Sequence, residues 1–156
     1  MNPLPPPAGQ NPGPVPSQPL SDGAFSHAVL VVDDNRVMRS MISRAVTLSG
    51  LPVSRIDSAG NGREALFKLG GGGFNLVLLD INMPVMDGEQ FLHALRADPR
   101  LNATKVVVVS TESSPARIRS LRGLGADFIH KPFRPEELIA AVGRLSSALP
   151  TRPGGP

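Results

Sequence analysis

Five polar residues lie where short apolar runs end, and their types could together transfer a phosphoryl group. They are Asp33, Asp34, Asp80, Ser110 and Lys131. Three carboxylates held close together repel one another unless a cation enters, and a small set of oxygen ligands favours Mg²⁺ over Ca²⁺ or Zn²⁺. A bound Mg²⁺ would let one carboxylate approach a phosphoryl group, and Lys131 and Ser110 would supply a positive charge and a hydroxyl donor for its oxygens. The predicted chemistry is phosphoryl transfer onto an aspartate.

The apolar runs before these residues predict strands that bring them to one edge of a parallel sheet. These runs are short and do not alternate with polar residues, which is typical of strands covered on both faces; they span residues 28–32, 76–79, 106–109 and 128–129. A more polar run at residues 53–58 predicts a strand at the edge of the sheet. Because ligands of open α/β sheets bind beyond the carboxyl ends of the strands, the polar residues are expected to form one site.

Helix patterns alternate with the strands five times. The first predicted helix has apolar residues at helical spacing, at Val37, Met38, Met41, Ile42, Ala45 and Val46. The starts of the other helices are indicated by Asn61 with Glu64, Asp87 with Gln90, Ser114-Pro115, and Pro135 followed by two glutamates. Their predicted buried faces carry Phe91, Leu92 and Leu95, then Ile118, Leu121 and Leu124, then Leu138, Val142, Leu145 and Leu149. A strict (βα)5 alternation predicts an α/β fold with a doubly wound, five-stranded parallel sheet and right-handed crossovers.

Composition narrows the possible classes of function. The 156 residues include no Cys, which excludes disulfides, thiolate metal sites and cysteine nucleophiles. The net charge is +3 and the pI is about 10.2, but the arginines are spread along the chain and the phenylalanines form no stacking set. This pattern favours a solvated basic surface over nucleic-acid binding. No segment resembles a signal peptide or reaches membrane-spanning length, so a cytoplasmic location is expected.

The two terminal segments differ in composition from the rest of the chain. Residues 1–23 contain eight prolines and almost no charge, which predicts a disordered tail with polyproline II character. Residues 150–156 are rich in Pro and Gly and predict a second disordered end. The folded domain is therefore expected to span residues 24–149.

Four segments of the sequence resemble the receiver domain of two-component response regulators, and specifically its stand-alone, chemotaxis-like (CheY-like) members. They are Val31-Val32-Asp33-Asp34, Leu78-Leu79-Asp80-Ile81-Asn82-Met83-Pro84-Val85-Met86-Asp87-Gly88, Val108-Val109-Ser110 and Lys131-Pro132-Phe133. An Asp pair or a Lys-Pro alone means little, but all four segments in this order and at these separations are highly specific. The resemblance extends over residues 27–147 and leaves only the tails outside.

The resemblance implies a function for the acidic residues. Asp80 would accept a phosphoryl group from a sensor histidine kinase. Asp33, Asp34 and Asp80 would hold Mg²⁺ together with the backbone carbonyl of Asn82. The implied fold is flavodoxin-like with strand order 2-1-3-4-5, which would place these acids on adjacent strands at the topological switch point.

The resemblance also implies roles for residues on the fourth and fifth strands. Lys131 would contact the phosphoryl group, and the Lys131-Pro132 peptide would be cis. Ser110 and Phe128 would be the switch hydroxyl and the switch aromatic residue. Glu112, like Asn82, would lie near the path of the attacking water and tune the lifetime of the acyl phosphate.

The implied output is binding to another protein. With no output domain expected after the fifth helix, a single-domain response regulator would act through a partner that binds the face of the fourth helix, fifth strand and fifth helix, or it would serve as a phosphate sink. Arg117, Arg119 and Arg122 lie beside this face and favour a partner with an acidic amphipathic segment. Neither direct nucleic-acid binding nor membrane binding is expected.

Several alternatives stay open from the sequence alone. Asp33 and Asp34 could instead cap the first helix. The chain could be a pseudo-receiver that binds partners without phosphorylation, although such proteins typically lose one of the acids or the lysine. A phosphatase of the haloacid dehalogenase type would need a general acid two residues after its nucleophile, where this sequence has Asn82. The sequence departs from the family at Thr111, where a smaller residue is usual; Ser110 is favoured over Thr111 as the hydroxyl donor because it directly follows the strand.

Overall fold

Five parallel strands form one sheet in the order β2-β1-β3-β4-β5 in the computed structural model, which describes residues 26–148. The strands are β1 (His27–Val32), β2 (Val53–Ala59), β3 (Leu76–Leu79), β4 (Lys105–Ser110) and β5 (Asp127–His130). The helices are α1 (Arg36–Leu48), α2 (Gly62–Gly70), α3 (Gly88–Ala97), α4 (Pro115–Gly123) and α5 (Pro135–Ala148). The predicted doubly wound, flavodoxin-like fold and its strand order are confirmed. The predictions for residues 1–23, Leu149 and residues 150–156 fall outside the described part of the chain.

The three central strands are apolar because helices cover both faces of the sheet. Residues 29–32, 76–79 and 106–109 are all buried. Each Val or Leu side chain buried in this way contributes about 1.5–3 kcal/mol relative to leaving it in water. In β2, which forms one edge, only Ala59 is buried, as its more polar sequence predicts.

The core consists of two hydrophobic clusters, one on each face of the sheet. One cluster lies under α2, α3 and α4 and includes Leu69, Phe91 and Leu121. The other lies under α1 and α5 and includes Ile42 and Leu138. Across residues 26–148, no helix is long and apolar enough to cross a membrane.

Two of the predicted helix starts are capping boxes, and the structure confirms one of them in full. Asp87 and Gln90 form the predicted reciprocal capping box at α3. At α2, the Asn61 side chain accepts a hydrogen bond from the Glu64 N–H, as expected for an N-cap. The Glu64 carboxylate, however, accepts from the N–H of Gly60 at 2.9 Å, one residue before the cap. The second half of the predicted capping box is therefore displaced by one residue.

Two features of helix α1 bear on what the sequence predicted for it. Its N-cap is Asn35, whose side chain accepts from two backbone N–H groups in the first turn. The alternative in which Asp33 and Asp34 cap this helix is therefore wrong. The apolar periodicity correctly predicts the helix, but Val37 and Met41 are 66% and 59% exposed. Their apolar surface faces away from the core.

Arg96 joins two loops at the end of the sheet where the strands begin, opposite to their carboxyl ends. Its Nε donates to the carbonyl of Leu124 at 2.7 Å, and its Nη1 donates to the carbonyls of Asn102 and Thr104 at 2.8 and 2.7 Å. One side chain at the end of α3 thus joins the loop before β4 to the loop before β5. These bonds satisfy carbonyl groups that the turns leave without backbone partners.

Candidate functional site

The ends of β1 and β3 place two aspartates side by side. The N–H of Asp80 donates to the carbonyl of Val32 at 2.8 Å, and the N–H of Asp33 donates to the carbonyl of Ala59 at 3.1 Å. One carboxylate oxygen from each of Asp33, Asp34 and Asp80 lies within 4.8 Å of the others. Asp33 and Asp80 are buried, whereas Asp34 is exposed. The strand order therefore brings the three predicted acids together.

Lys131 is the cation next to this acidic cluster. Its Nζ lies 2.9 Å from Asp33 Oδ2 and 3.7 Å from Asp80 Oδ1. The backbone N–H of Lys131 donates to the carbonyl of Ser110 at 3.0 Å, which ties the end of β5 to the end of β4. The peptide between Lys131 and Pro132 is cis, as the resemblance implies. The fifth strand thus delivers one positive charge to two buried carboxylates.

The electrostatic balance at Asp80 disfavours its charged form. Burial raises the pKa of the Asp80 carboxyl above its usual value; Lys131 lowers it, and Asp33 raises it further. Hydrogen bonds from the backbone N–H groups of Ile81 and Asn82 act in the lowering direction. Because the pKa stays raised despite Lys131 and these donors, added positive charge at the site would be stabilising.

The donor set fits Mg²⁺. It consists of a few oxygens, which Mg²⁺ takes in combination with retained waters, and the exposed Asp34 leaves one side open to solvent. Arg39 of α1 stabilises the loop that carries Asp33 and Asp34, because its Nη1 donates a hydrogen bond to the carbonyl of Asp33 at 2.7 Å. Sequence reasoning did not identify Arg39. The backbone carbonyl of Asn82 as a further ligand stays a prediction.

The loop between β3 and α3 is held close to the end of β3. The N–H of Gly88 donates to the carbonyl of Ile81 at 2.8 Å. A Cβ atom at Gly88 would collide with the backbone of Asp80 and Ile81, so this position requires glycine. Three residues earlier, Val85 has a φ of 69°, a conformation in which a β-branched side chain is strained. The tight loop places the start of α3 directly against the candidate phosphoacceptor.

Strands β4 and β5 place the two predicted switch residues on one face of the sheet. Ser110 follows Val108 by two residues, and Val108 pairs in register with Phe128, so all three side chains point to the same side. Ser110 is fully buried, and its Oγ accepts from the N–H of Glu112 at 3.2 Å. Thr111 is exposed. This placement supports Ser110 as the hydroxyl that acts together with Phe128.

The ring of Phe128 is buried, with 6% of its surface exposed. It contacts His130 edge-on, with the ring centroids 4.8 Å apart and the planes at 70°. His130 itself is exposed. A switch aromatic residue is expected to rotate between a buried and an exposed position; the structure shows the buried one, and the exposed one stays a prediction.

The loop after β4 carries an ion-pair network that the sequence analysis did not predict. The Glu112 carboxylate accepts from the backbone N–H groups of Ser114 and Ser113 and pairs with Arg117 at 3.1 Å. Arg117 also approaches Glu89 of α3 at 3.6 Å. These contacts, the hydrogen bond from Ser114 foremost, lower the pKa of Glu112. Glu112 therefore joins the loop to the start of α4, and its predicted effect on the attacking water stays a prediction.

The arginines beside the predicted output face are largely engaged within the protein. Asp127, a buried acid at the start of β5, pairs with Arg122 at 3.1 Å and with Arg144 at 2.6 Å. Arg117 belongs to the network just described. Three arginines were predicted to meet an acidic partner. Among residues 26–148, Arg117 and Arg122 form ion pairs and Arg119 does not. The basic surface offered by α4 is therefore smaller than the sequence suggested.

An apolar cavity of about 430 Å³ opens beside Lys131, between α1 and the loop after β5. Its lining includes Met38, Met41, Thr111 and Phe133. The exposed apolar residues of α1 thus continue into a recess that adjoins the acidic cluster.

Comparison with known proteins identifies the class to which this fold and site belong. Residues 29–143 match the family model described as the response regulator receiver domain. That match covers well over half of the sequence. The chain belongs to the response regulator receiver domain family, the phosphoacceptor domains of two-component signalling.

Two relatives show how the match extends along full-length proteins. The chain is 34% identical over 122 residues to the probable chemotaxis protein CheY of Rhizobium etli, which covers 78% of this chain and 93% of that protein. It is 35% identical over 122 residues to a protein-glutamate methylesterase/protein-glutamine glutaminase of Rhodospirillum centenum, which covers 78% of this chain and 31% of that protein. The chain thus spans about a third of the methylesterase relative.

Two solved structures show the same fold. The chemotaxis response regulator CheY4 of Vibrio cholerae superposes with a TM-score of 0.67 at 34% identity, covering 78% of this chain and 99% of that one. A chain in the CheX–CheY–BeF3–Mg²⁺ complex from Borrelia burgdorferi superposes with a TM-score of 0.69 at 26% identity, covering 77% and 89%.

Proposed function

We propose that this protein is a cytoplasmic response regulator that accepts a phosphoryl group on Asp80 from a sensor histidine kinase and then signals by binding another protein. The carrying observation is the cluster at the carboxyl edge of the sheet, where three carboxylates lie within 4.8 Å and Lys131 contacts two of them. The cluster retains every acid and the lysine, which argues against a pseudo-receiver. Asn82 stands where a phosphatase of the haloacid dehalogenase type needs its general acid, which argues against hydrolysis as the main activity.

Each residue of the cluster has a chemical task in this proposal. Asp33, Asp34 and Asp80 would hold Mg²⁺, which when bound offsets the repulsion between a carboxylate and an incoming phosphoryl group. An oxygen of Asp80 attacks phosphorus in line with the leaving histidine nitrogen. Lys131, already 3.7 Å from Asp80 Oδ1, pairs with the phosphoryl oxygens. Ser110 turns its hydroxyl to donate to another of these oxygens.

The phosphodonor is proposed to approach over the apolar surface of α1. Met41 is 59% exposed and, with Met38 and Phe133, lines the cavity beside Lys131. Apolar surface next to a charged site suits a partner that docks by burial and presents its reactive group to the acids. The kinase would thus be recognised beside the site rather than at the output face.

The output is proposed to start at the loop after β4. When Ser110 turns towards the phosphoryl group, its hydrogen bond with the Glu112 N–H must rearrange. Glu112 is bonded to Arg117 and to the start of α4, so the helix follows the loop. The exposed Arg119 gives the moving surface a positive charge that fits an acidic amphipathic segment of the target. A coupling of this kind is typically about 1–3 kcal/mol, or five- to 150-fold in affinity.

Labelling with a small phosphodonor tests the acceptor. Wild-type protein incubated with acetyl phosphate and Mg²⁺ should acquire a label that hydroxylamine removes, as expected of an acyl phosphate, and Asp80→Asn should acquire none. Asp98→Asn, at the far end of α3, is the matched control and should be labelled like the wild type. A label that persists in Asp80→Asn and resists hydroxylamine would place the phosphate on a Ser or Thr and refute the proposal.

The output is tested by capturing partners with the beryllofluoride-activated protein and measuring their affinity with and without beryllofluoride. Activation should raise the affinity in the wild type and not in Ser110→Ala. An equal rise in both proteins would rule out this switch. If phosphotransfer from the host's kinases is rapid but activation changes no partner's affinity, the protein is a phosphate sink.

A further inference from the structure

An aromatic groove lies at the end of the sheet where the strands begin, opposite to the acidic cluster. It runs between the end of α2 and the start of β3, and is lined by Arg55, Leu66, Phe67, Lys68, Gly70, Gly71, Gly72 and Phe74. Phe67 is 84% exposed, the most exposed large apolar side chain of the described residues. Arg55 lies over the ring of Phe74, 4.3 Å from its centroid. Nothing in the receiver chemistry uses this groove.

The composition of the groove suits an extended, proline-rich ligand. Exposed aromatic rings are the surfaces on which proline rings pack when polyproline II segments are recognised. The run from Gly70 to Gly73 carries no side chains, so a ligand backbone can approach closely there. The side chain of Arg55 is 52% exposed, and its contact with Asp57 is long, at 3.7 Å. Its guanidinium can therefore donate to the exposed carbonyls of a polyproline II segment.

The described chain starts beside this groove. The carbonyl of Ser26 accepts a hydrogen bond at 3.1 Å from the side chain of Asn75, the residue that follows Phe74. In the sheet, Ala28 pairs in register with Arg55 on the neighbouring strand. Ser26, the first described residue, therefore lies close to Phe74 and Arg55, two of the residues that line the groove.

The sequence before Ser26 is the ligand that such a groove fits. Residues 3–19 include eight prolines and no charged residue, so nothing in them opposes the positive charges of Arg55 and Lys68. Pro19 is seven residues before Ser26, and polyproline II advances about 3.1 Å per residue, which gives about 20 Å of chain to fold back along the groove. We propose that this groove binds the proline-rich segment 3–19 of the same chain in polyproline II conformation.

A spin label in the segment tests this contact in the full-length protein. Because the sequence has no Cys, Ser17→Cys provides a single site for a nitroxide. The label should strongly broaden the amide signals of Gly71, Gly72 and Gly73. The additional substitution Phe67→Ser should remove most of this broadening without affecting the fold, since Phe67 is exposed. Leu48→Ser, at a 67% exposed position on α1, is the matched control and should leave the broadening unchanged.

Two further samples distinguish the possible occupants. Replacing Pro16 and Pro19 with Gly should weaken the broadening if the polyproline II conformation is what the groove recognises. A mixture of isotope-labelled protein without nitroxide and nitroxide-labelled protein without isotope should show no broadening. Broadening in that mixture would mean that a second copy supplies the segment, and broadening that survives Phe67→Ser would mean that the groove does not bind it. Either result overturns the proposal.

Discussion

Lys131 pairs with the two buried carboxylates of Asp33 and Asp80, whose negative charges would otherwise repel each other. Its Nζ is closer to Asp33, at 2.9 Å, than to Asp80, at 3.7 Å. The lysine is thus closer to Asp33, a proposed metal ligand, than to Asp80, the proposed phosphoacceptor. Asp80 keeps a raised pKa, chiefly through burial, so an incoming cation is favoured next to the proposed phosphoacceptor.

Replacing Lys131 should therefore make the fold depend on Mg²⁺. Lys131→Met leaves two buried carboxylates unpaired, and we expect a loss on the order of 3 kcal/mol in the free energy of unfolding without divalent cations. Mg²⁺ should stabilise the variant more than the wild type, because it replaces the missing charge. Denaturant unfolding with and without Mg²⁺ measures both effects. Lys68→Met, which removes an ion-paired lysine away from the site, should show no change in its response to Mg²⁺.

The raised pKa of Asp80 also predicts a pH dependence. The folded state binds this proton more tightly than the unfolded state, so the free energy of unfolding decreases as the pH rises from the ordinary carboxyl pKa through the native one. In Mg²⁺-free buffer, Asp80→Asn should therefore have a higher Tm than the wild type at pH 7. The difference should disappear below pH 3.8, the usual value for this group. A difference that is constant over this range would mean that packing, not charge, is responsible.

At the scale of elements, the loop between β3 and α3 holds strain beside the site. Val85 has a φ of 69° and is 72% exposed, so no packing compensates for its conformation. Asn tolerates the left-handed region better than a β-branched residue does. Val85→Asn should raise the free energy of unfolding by about 1 kcal/mol. Val85→Ala removes the branching but keeps a Cβ atom, so its free energy of unfolding should rise by less. An equal rise in both variants would show that the loss of the exposed valine side chain, and not the positive φ, is responsible.

The sequence predicted the elements that have strong local signals and missed contacts between distant segments. The buried runs of β1, β3 and β4 and the cap at Asp87 follow from apolar patterning and capping chemistry, and all are confirmed. The acidic cluster was predictable because parallel strands end at one edge of the sheet. The pairing of Asp127 with Arg122 and Arg144 was not, because it depends on how α4 and α5 pack around β5.

At the scale of the whole molecule, the two ends of the sheet are held by different forces. The end with Asp80 is held by charges that the proposed phosphorylation would change, whereas the opposite end is held by hydrogen bonds from Arg96 to backbone carbonyls, which it would not change. Beryllofluoride with Mg²⁺ should therefore slow hydrogen exchange in the loop after β4 and at the start of α4. Exchange in the loops that Arg96 joins should stay unchanged. Hydrogen-exchange mass spectrometry measures both regions at once, and uniform slowing would contradict a localised switch.

Ser26 lies at the end of the sheet opposite to Asp80, and this position has a consequence for encounter rates. A partner that binds the end of the sheet around Ser26, where the strands begin, leaves the acidic end accessible, so the protein can be held at one end while it reacts at the other. If that partner is joined to a kinase by a flexible linker, the phosphoryl donor and acceptor meet at an effective concentration that the linker length sets. This concentration is in the millimolar range for short flexible linkers. The rate of phosphorylation would then no longer depend on the concentration of this protein in the cell.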